Sequence, residues 1–135
     1  MRVLLDTDVV SLMLREQEPA RLLERLAATA REDMHLSVVS VREVLYGLYR
    51  QSGLEPLRRR FEDRILPRVV VLPFGVEAAR VCARLQADLA RTGQPLDLPD
   101  LEIASIALVH DLALVTANER HFRRVTGLRV HNWLE

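Results

Sequence analysis

Val3-Leu4-Leu5-Asp6-Thr7-Asp8 decides how this chain is read: three aliphatic residues stop at an acid, and a second acid follows two positions later. An apolar run this short suits a strand buried on both faces, the situation of a parallel sheet covered by helices. A carboxylate at the end of such a strand carries a heavy desolvation cost unless hydrogen bonds, a cation or a raised pKa relieve it. Asp8 has a simpler role open to it, as a cap on the turn that leads into Val9–Leu14.

Working outward, short apolar runs alternate with longer amphipathic ones. Pro19 opens a helix to about Thr29, with Leu22, Leu23 and Leu26 along one stripe, and His35–Val39 reads as a second strand. Ser40 starts a helix running to about Gln51, stopped by Ser52-Gly53. Leu54–Ile65 is an arginine-rich helix ended by Pro67, and Val69–Leu72 is a β-branched buried strand. Val76 to about Arg91 is a long helix broken by Thr92-Gly93-Gln94-Pro95. A polar loop with Asp97, a helix Asp100–His110, a strand Ala113–Thr116, a helical turn Glu119–Phe122 and a last strand Arg129–His131 complete the chain. Strands alternating with helices predict an α/β fold: one three-layer α/β/α domain over residues 1–135 with a central, mainly parallel sheet. Ligands of such sheets bind beyond the carboxyl ends of the strands.

The 135 residues suffice for one core, and no apolar run reaches the roughly 18 residues that span a bilayer. With no signal-like start, the expected location is cytoplasmic and no membrane is expected as a partner. Cys82 sits in an apolar stretch as a structural thiol. Formal net charge is zero, so attraction to nucleic acid must be local. All nineteen basic residues are arginine, which excludes any mechanism that needs a lysine.

Each further acid has a plain structural role on its own. Ser40-Val41-Arg42-Glu43 fits a capping box, and Asp100 after Pro99 fits a helix N-cap. Their convergence at one sheet edge is harder to account for, because gathered carboxylates repel without a cation between them. Oxygen-only ligands select hard ions such as Mg2+ or Mn2+, whereas His35, His110, His121 and His131 lack zinc spacing. A hard ion held by carboxylates implies attack of a metal-activated water on a phosphodiester.

Across these motifs the chain resembles the PIN-domain family, specifically its VapC-type toxin RNases. The resemblance runs through Val3–Thr7, Ser40–Gly47, Asp100–Ala107, Leu114–Asn118 and His121–Leu128 to Asn132-Trp133. By position it implies that Asp6, Glu43 and Asp100 are the catalytic, metal-binding acids, with Thr7, Ser40 and Thr116 as supporting hydroxyls. The family's fourth acid falls on Asn118, and the acid often found before the Phe is replaced by His121. Asn118 could ligate through its carbonyl, or Glu119 or Asp97 could supply the charge. The resemblance further implies Mg2+ or Mn2+ dependence, an RNA substrate, a small cognate antitoxin and a homodimer.

Arg58, Arg59, Arg60 and Arg64 offer bidentate contacts to RNA phosphates, against the plainer reading of a helix face paired with Glu55, Glu62 and Asp63. Val44, Leu45, Leu48 and Tyr49 fit either the core or a groove for a partner. Two rivals stand beside the nuclease. Leu4–Val10 also resembles the opening Asp-x-Asp motif of haloacid-dehalogenase phosphatases, with Asp6 as nucleophile, although that family generally uses a later lysine. The other rival is an inert PIN-like binding module, supported by the Asn118 and His121 departures.

Overall fold

The computed structural model describes residues 1–135. Five strands, β1 (Val3–Leu5), β2 (Met34–Ser37), β3 (Val70–Leu72), β4 (Ala113–Val115) and β5 (Val130–His131), form one sheet in the order β3-β2-β1-β4-β5. Every neighbouring pair is parallel, with Leu4 opposite His35 on one side and Leu114 on the other. The helices are α1 (Thr7–Leu14), α2 (Ala20–Ala27), α3 (Val38–Tyr49), α4 (Glu55–Arg60), α5 (Val76–Arg91), α6 (Leu98–Val109) and α7 (Glu119–Phe122).

The period-two alternation of β1 splits the core into two layers. Val3 and Leu5 pack with α1–α3 residues such as Val10, Leu22 and Leu48 and with Phe61 just past α4, whereas Leu4 and Leu114 pack with α5 and α6 through Cys82, Leu101 and Ile106. Each fully buried side chain of this kind contributes about 1.5–3 kcal/mol of burial free energy, so both helical layers are firmly attached. The expected three-layer α/β/α arrangement is thus the observed one.

Several boundaries differ from the sequence reading for local reasons. The chain turns helical at Val38 rather than Ser40, because the Ser37 hydroxyl accepts a hydrogen bond from the Val39 N–H and caps α3 one turn earlier. Ser40 is therefore interior to the helix, and the capping box with Glu43 is not made. α6 begins at Leu98 with Asp97 at its N-cap position and Pro99 in its first turn, which places Asp100 inside the helix. The arginine-rich helix does continue to Ile65, but through a π-turn at Phe61–Ile65 that carries Phe61 and Ile65 in the core. β3 is an edge strand rather than a buried one, and Val71 is 41% exposed. No helix is long and apolar enough to cross a membrane.

Candidate active site

β1 and β4 lie side by side at the centre of the sheet, and their carboxyl ends carry Asp6 and Thr116. The ladder holds both in place: the Asp6 N–H donates to the Val115 carbonyl at 2.9 Å, and the Thr116 N–H to the His131 carbonyl at 3.0 Å. Asp6 is buried and caps α1, Oδ1 accepting from the Thr7 N–H at 2.8 Å. Its Oδ2 accepts from the Thr116 hydroxyl at 2.8 Å.

Asp8 is not the cap of α1 expected from the sequence, since Asp6 takes that position. It lies in the first turn of the helix and reaches across to the end of β4. There Oδ2 accepts from the Ala117 N–H at 3.2 Å, while Oδ1 is buried without any hydrogen-bond partner. Burial first, then the neighbouring Asp8 carboxylate, pushes the Asp6 carboxyl from an ordinary 3.8 up to about 7, against the pull of the Thr116 and Thr7 hydrogen bonds; Asp100 adds a smaller push. Burial also raises Asp8, again with a contribution from Asp100. Asp6, Asp8 and Asp100 thus share one field.

The third helix brings Glu43 and Ser40 to the other side of Thr7. The Thr7 hydroxyl donates to Glu43 Oε1 at 2.7 Å, and Ser40 Oγ lies 2.7 Å from the same Thr7 oxygen. Thr7 has one hydroxyl proton and gives it to the carboxylate, so the buried Ser40 hydroxyl donates to Thr7. Asp100, on the first turn of α6, meets His121 of α7, with Oδ2 2.8 Å from Nε2. The T-shaped contact of His121 with the buried Phe122 steadies the imidazole.

The structure therefore brings Asp6, Thr7, Ser40, Glu43, Asp100 and Thr116 to one end of the sheet, together with Asp8 and His121. It treats the candidates for a fourth acid differently. The Asn118 side chain is exposed and makes no hydrogen bond; its backbone N–H donates to Thr116 Oγ1 at 3.0 Å and its backbone carbonyl accepts from the His121 N–H at 3.2 Å. Glu119 pairs with Arg123 at 3.2 Å, and Asp97 is exposed at the start of α6. The fourth carboxylate beside Asp6 is Asp8, which by sequence alone reads only as a cap or as part of the phosphatase motif. Its signal lies in the Asp-Thr-Asp spacing: two acids flanking the first residue of a helix cannot both cap it.

As folded, no three His, Cys, Asp or Glu side chains sit close enough to one point to hold a metal ion outright. Glu43 is drawn to Thr7 and Asp100 to His121. The donor set still fits a hard cation. It is oxygen-based, the surroundings of Asp6 and Asp8 disfavour their charged state, and Asp8 Oδ1 is a buried acceptor with nothing to accept.

Of the arginines expected to hold RNA, Arg58 bridges Glu55 and Glu62, and Arg60 pairs with Glu16 at 2.6 Å. Arg59 stands 3.7 Å from Glu55, and the exposed Arg64 has no ion-pair partner. Val44 and Leu48 are core residues, Leu45 is half-buried and Tyr49 is exposed.

The sequence model of the family described as PIN domain matches residues 3–128. The tRNA(fMet)-specific endonuclease VapC of Shigella flexneri is 31% identical over 133 residues, 98% of each chain. Ribonuclease VapC2 of Haemophilus influenzae is 30% identical over 134 residues, 99% of each. Among solved structures, DNA-bound VapBC from Salmonella typhimurium contains a chain 28% identical that superposes with a TM-score of 0.90 over 98% of both chains.

Proposed function

We propose that this chain, which belongs to the PIN-domain family, is a metal-dependent endoribonuclease and the toxin of a toxin–antitoxin pair. The observation that carries the reading is the mutually repelling pair of the buried Asp6, at the carboxyl end of β1, and the half-buried Asp8, in the first turn of α1, with Glu43 and Asp100 beside them, in a chain whose end-to-end relatives are named as an endonuclease and a ribonuclease. The substrate is RNA, and a small cognate antitoxin is the partner, as in the VapBC assembly that its structural neighbour forms. A structured RNA such as tRNA, the substrate that the name of the Shigella flexneri relative gives for that protein, is the proposed substrate class, and a homodimer is the assembly that the family resemblance implies.

Mg2+ or Mn2+ is the cofactor this donor set suits, and Asp6, Asp8, Glu43 and Asp100 are the residues that would hold it. When bound, such an ion supplies positive charge to the phosphodiester oxygens and lowers the pKa of a coordinated water. The protein's own residues set up that chemistry. Thr7 ties the two helices together, fixing Asp6 through its N–H and Glu43 through its hydroxyl. Thr116 orients the second oxygen of Asp6, and His121 orients Asp100. These are the outer partners that hold ligating carboxylates in position. A phosphatase reading finds less support, since both oxygens of Asp6 already accept hydrogen bonds and the chain has no lysine to hold a phosphoryl group.

The direct test incubates purified protein with total tRNA in Mn2+ or in EDTA and maps the ends produced. Internal cleavage only with Mn2+, and its suppression by the cognate antitoxin, is the expected result. Intact RNA under all conditions would remove the nuclease reading. Within the site, Asp8→Asn is expected to weaken Mn2+ binding about 10- to 100-fold in a calorimetric titration. Unchanged affinity would reduce Asp8 to a structural contact with Ala117.

A further inference from the structure

We propose that the groove between α1 and α3 is a subsite for the RNA backbone next to the scissile phosphate, gripped by Arg15 and Arg50 over the bare helix surface at Gly47; the proposal rests on the nuclease reading above. The groove encloses about 150 Å3, and its lining includes Thr7 and Glu43 of the active site together with Ser11, Gly47, Arg15 and Arg50. From Thr7 to Arg15 the first helix advances about 12 Å, and from Glu43 to Arg50 the third advances about 10 Å. A strand bound at the acids and laid along this groove therefore meets two guanidinium groups within a few nucleotides.

Two independent observations support this occupant. The first is the state of the arginines. Arg58, Arg59, Arg60, Arg91, Arg123 and Arg129 are matched to carboxylates, and of the other arginines, which have no ion-pair partner, Arg15 and Arg50 are the two that line the groove beside the acids. Both are exposed at the C-terminal ends of their helices, and the Arg50 guanidinium lies 5.8 Å from the ring centroid of Tyr46, which braces it. Unpaired, forked guanidinium groups beside an anionic reaction centre match phosphate oxygens. In a chain of zero net charge, such local contacts are what RNA affinity must come from.

The second observation is Gly47. A glycine inside a helix weakens it relative to alanine, and such a residue needs a reason. No turn requires Gly47, since it is absent from the positive-φ residues, and no neighbour forbids a side chain, since nothing lies within 4 Å of where a Cβ would stand. What the missing side chain leaves is open space on the groove wall, the condition for a backbone or phosphate to approach the helix closely.

The test measures binding of fluorescently labelled total tRNA in a cleavage-silent Asp6→Asn background, across a series of KCl concentrations. Arg15→Gln and Arg50→Gln are each expected to weaken binding several-fold at low salt and to flatten the plot of log K against log salt by about 0.7–0.9. Gly47→Leu should weaken binding at least tenfold by filling the groove while leaving thermal stability equal or higher, an outcome a purely structural glycine would not give. Arg129→Gln is the control, since it breaks the pair with Asp111 at the opposite end of the sheet. Unchanged affinity and slope in all three groove variants, with the parent still binding and the wild type still cleaving, would overturn the subsite alone. So would variants that keep RNA affinity and lose only inhibition by the antitoxin, which would assign the groove to a protein. A wild type that neither binds nor cleaves tRNA would remove the nuclease reading and this proposal with it.

Discussion

Asp6→Asn is expected to abolish RNA cleavage, lowering it at least 100-fold, beyond the roughly 10- to 100-fold that loss of an outer partner to a metal ligand costs, while the fold survives. The fold survives because Asn is as good an N-cap as Asp, so the bond from the Thr7 N–H that starts α1 is kept. Activity is lost because the substitution removes the charge that the surroundings work hardest to oppose. Burial and Asp8 both disfavour ionised Asp6, and a sequence optimised only for stability would not keep an acid there. Glu43→Gln and Asp100→Asn should have the same outcome by the same route, each retaining its shape and losing its charge. Circular dichroism checks the fold, and a cleavage assay against labelled tRNA checks activity. Two of the three variants retaining wild-type activity, with contaminating RNase excluded, would show that the site lies elsewhere.

How much of the molecule is legible in its sequence differs from residue to residue. The buried strand at Val3–Leu5 is legible because three aliphatics that stop at an acid fit a two-sided buried strand and little else, and the α/β alternation follows from spacing alone. Asp6, Glu43 and Asp100 are legible as positions, and their partners are not. Ser40 looks like a cap because Ser-x-x-Glu is a local pattern, but whether the helix starts there depends on Ser37, three residues upstream, and on where β2 leaves the sheet. The hydrogen bond from Ser40 to Thr7 spans 33 residues and the Asp100–His121 pair 21, distances at which no local pattern operates. Asp8 illustrates the same limit. Its sequence neighbours offer it a capping role, and its true partner, the Ala117 N–H, lies 109 residues away at the end of β4. The edge position of β3 is hidden for a related reason, because β-branched composition reports strand formation and not the order of strands in the sheet.

The second large effect is on stability, and its sign follows from the same acid. In the unfolded chain Asp6 ionises near 3.8, whereas in the fold it holds its proton to about 7. Well below pH 3.8 both states are protonated and Asp6 has no effect, and at about pH 4 its effect is still small. As pH rises from there toward 7 the unfolded chain releases a proton that the folded protein keeps, so folding stability falls. The fall from this residue, taken from 3.8 to about 7, is on the order of 4 kcal/mol, and the raised Asp8 acts in the same direction. In EDTA the Asp6→Asn variant should therefore melt at about the wild-type temperature at pH 4 and well above it at pH 8. A divalent ion supplies the opposite term. Mn2+ at about 100 times its Kd adds roughly 2.7 kcal/mol to the stability of the protein that binds it, about 10 °C of melting temperature for a domain of this size. That gain should appear in the wild type at pH 8 and be largely absent from Asp6→Asn. Scanning calorimetry at the two pH values, with EDTA and then with Mn2+, reads both effects together. A variant advantage that is the same at pH 4 and pH 8 would mean that Asp6 is not held protonated by its surroundings. An equal Mn2+ shift in both proteins would mean that the ion binds away from Asp6, in which case the stability held back by these acids serves some purpose other than metal binding.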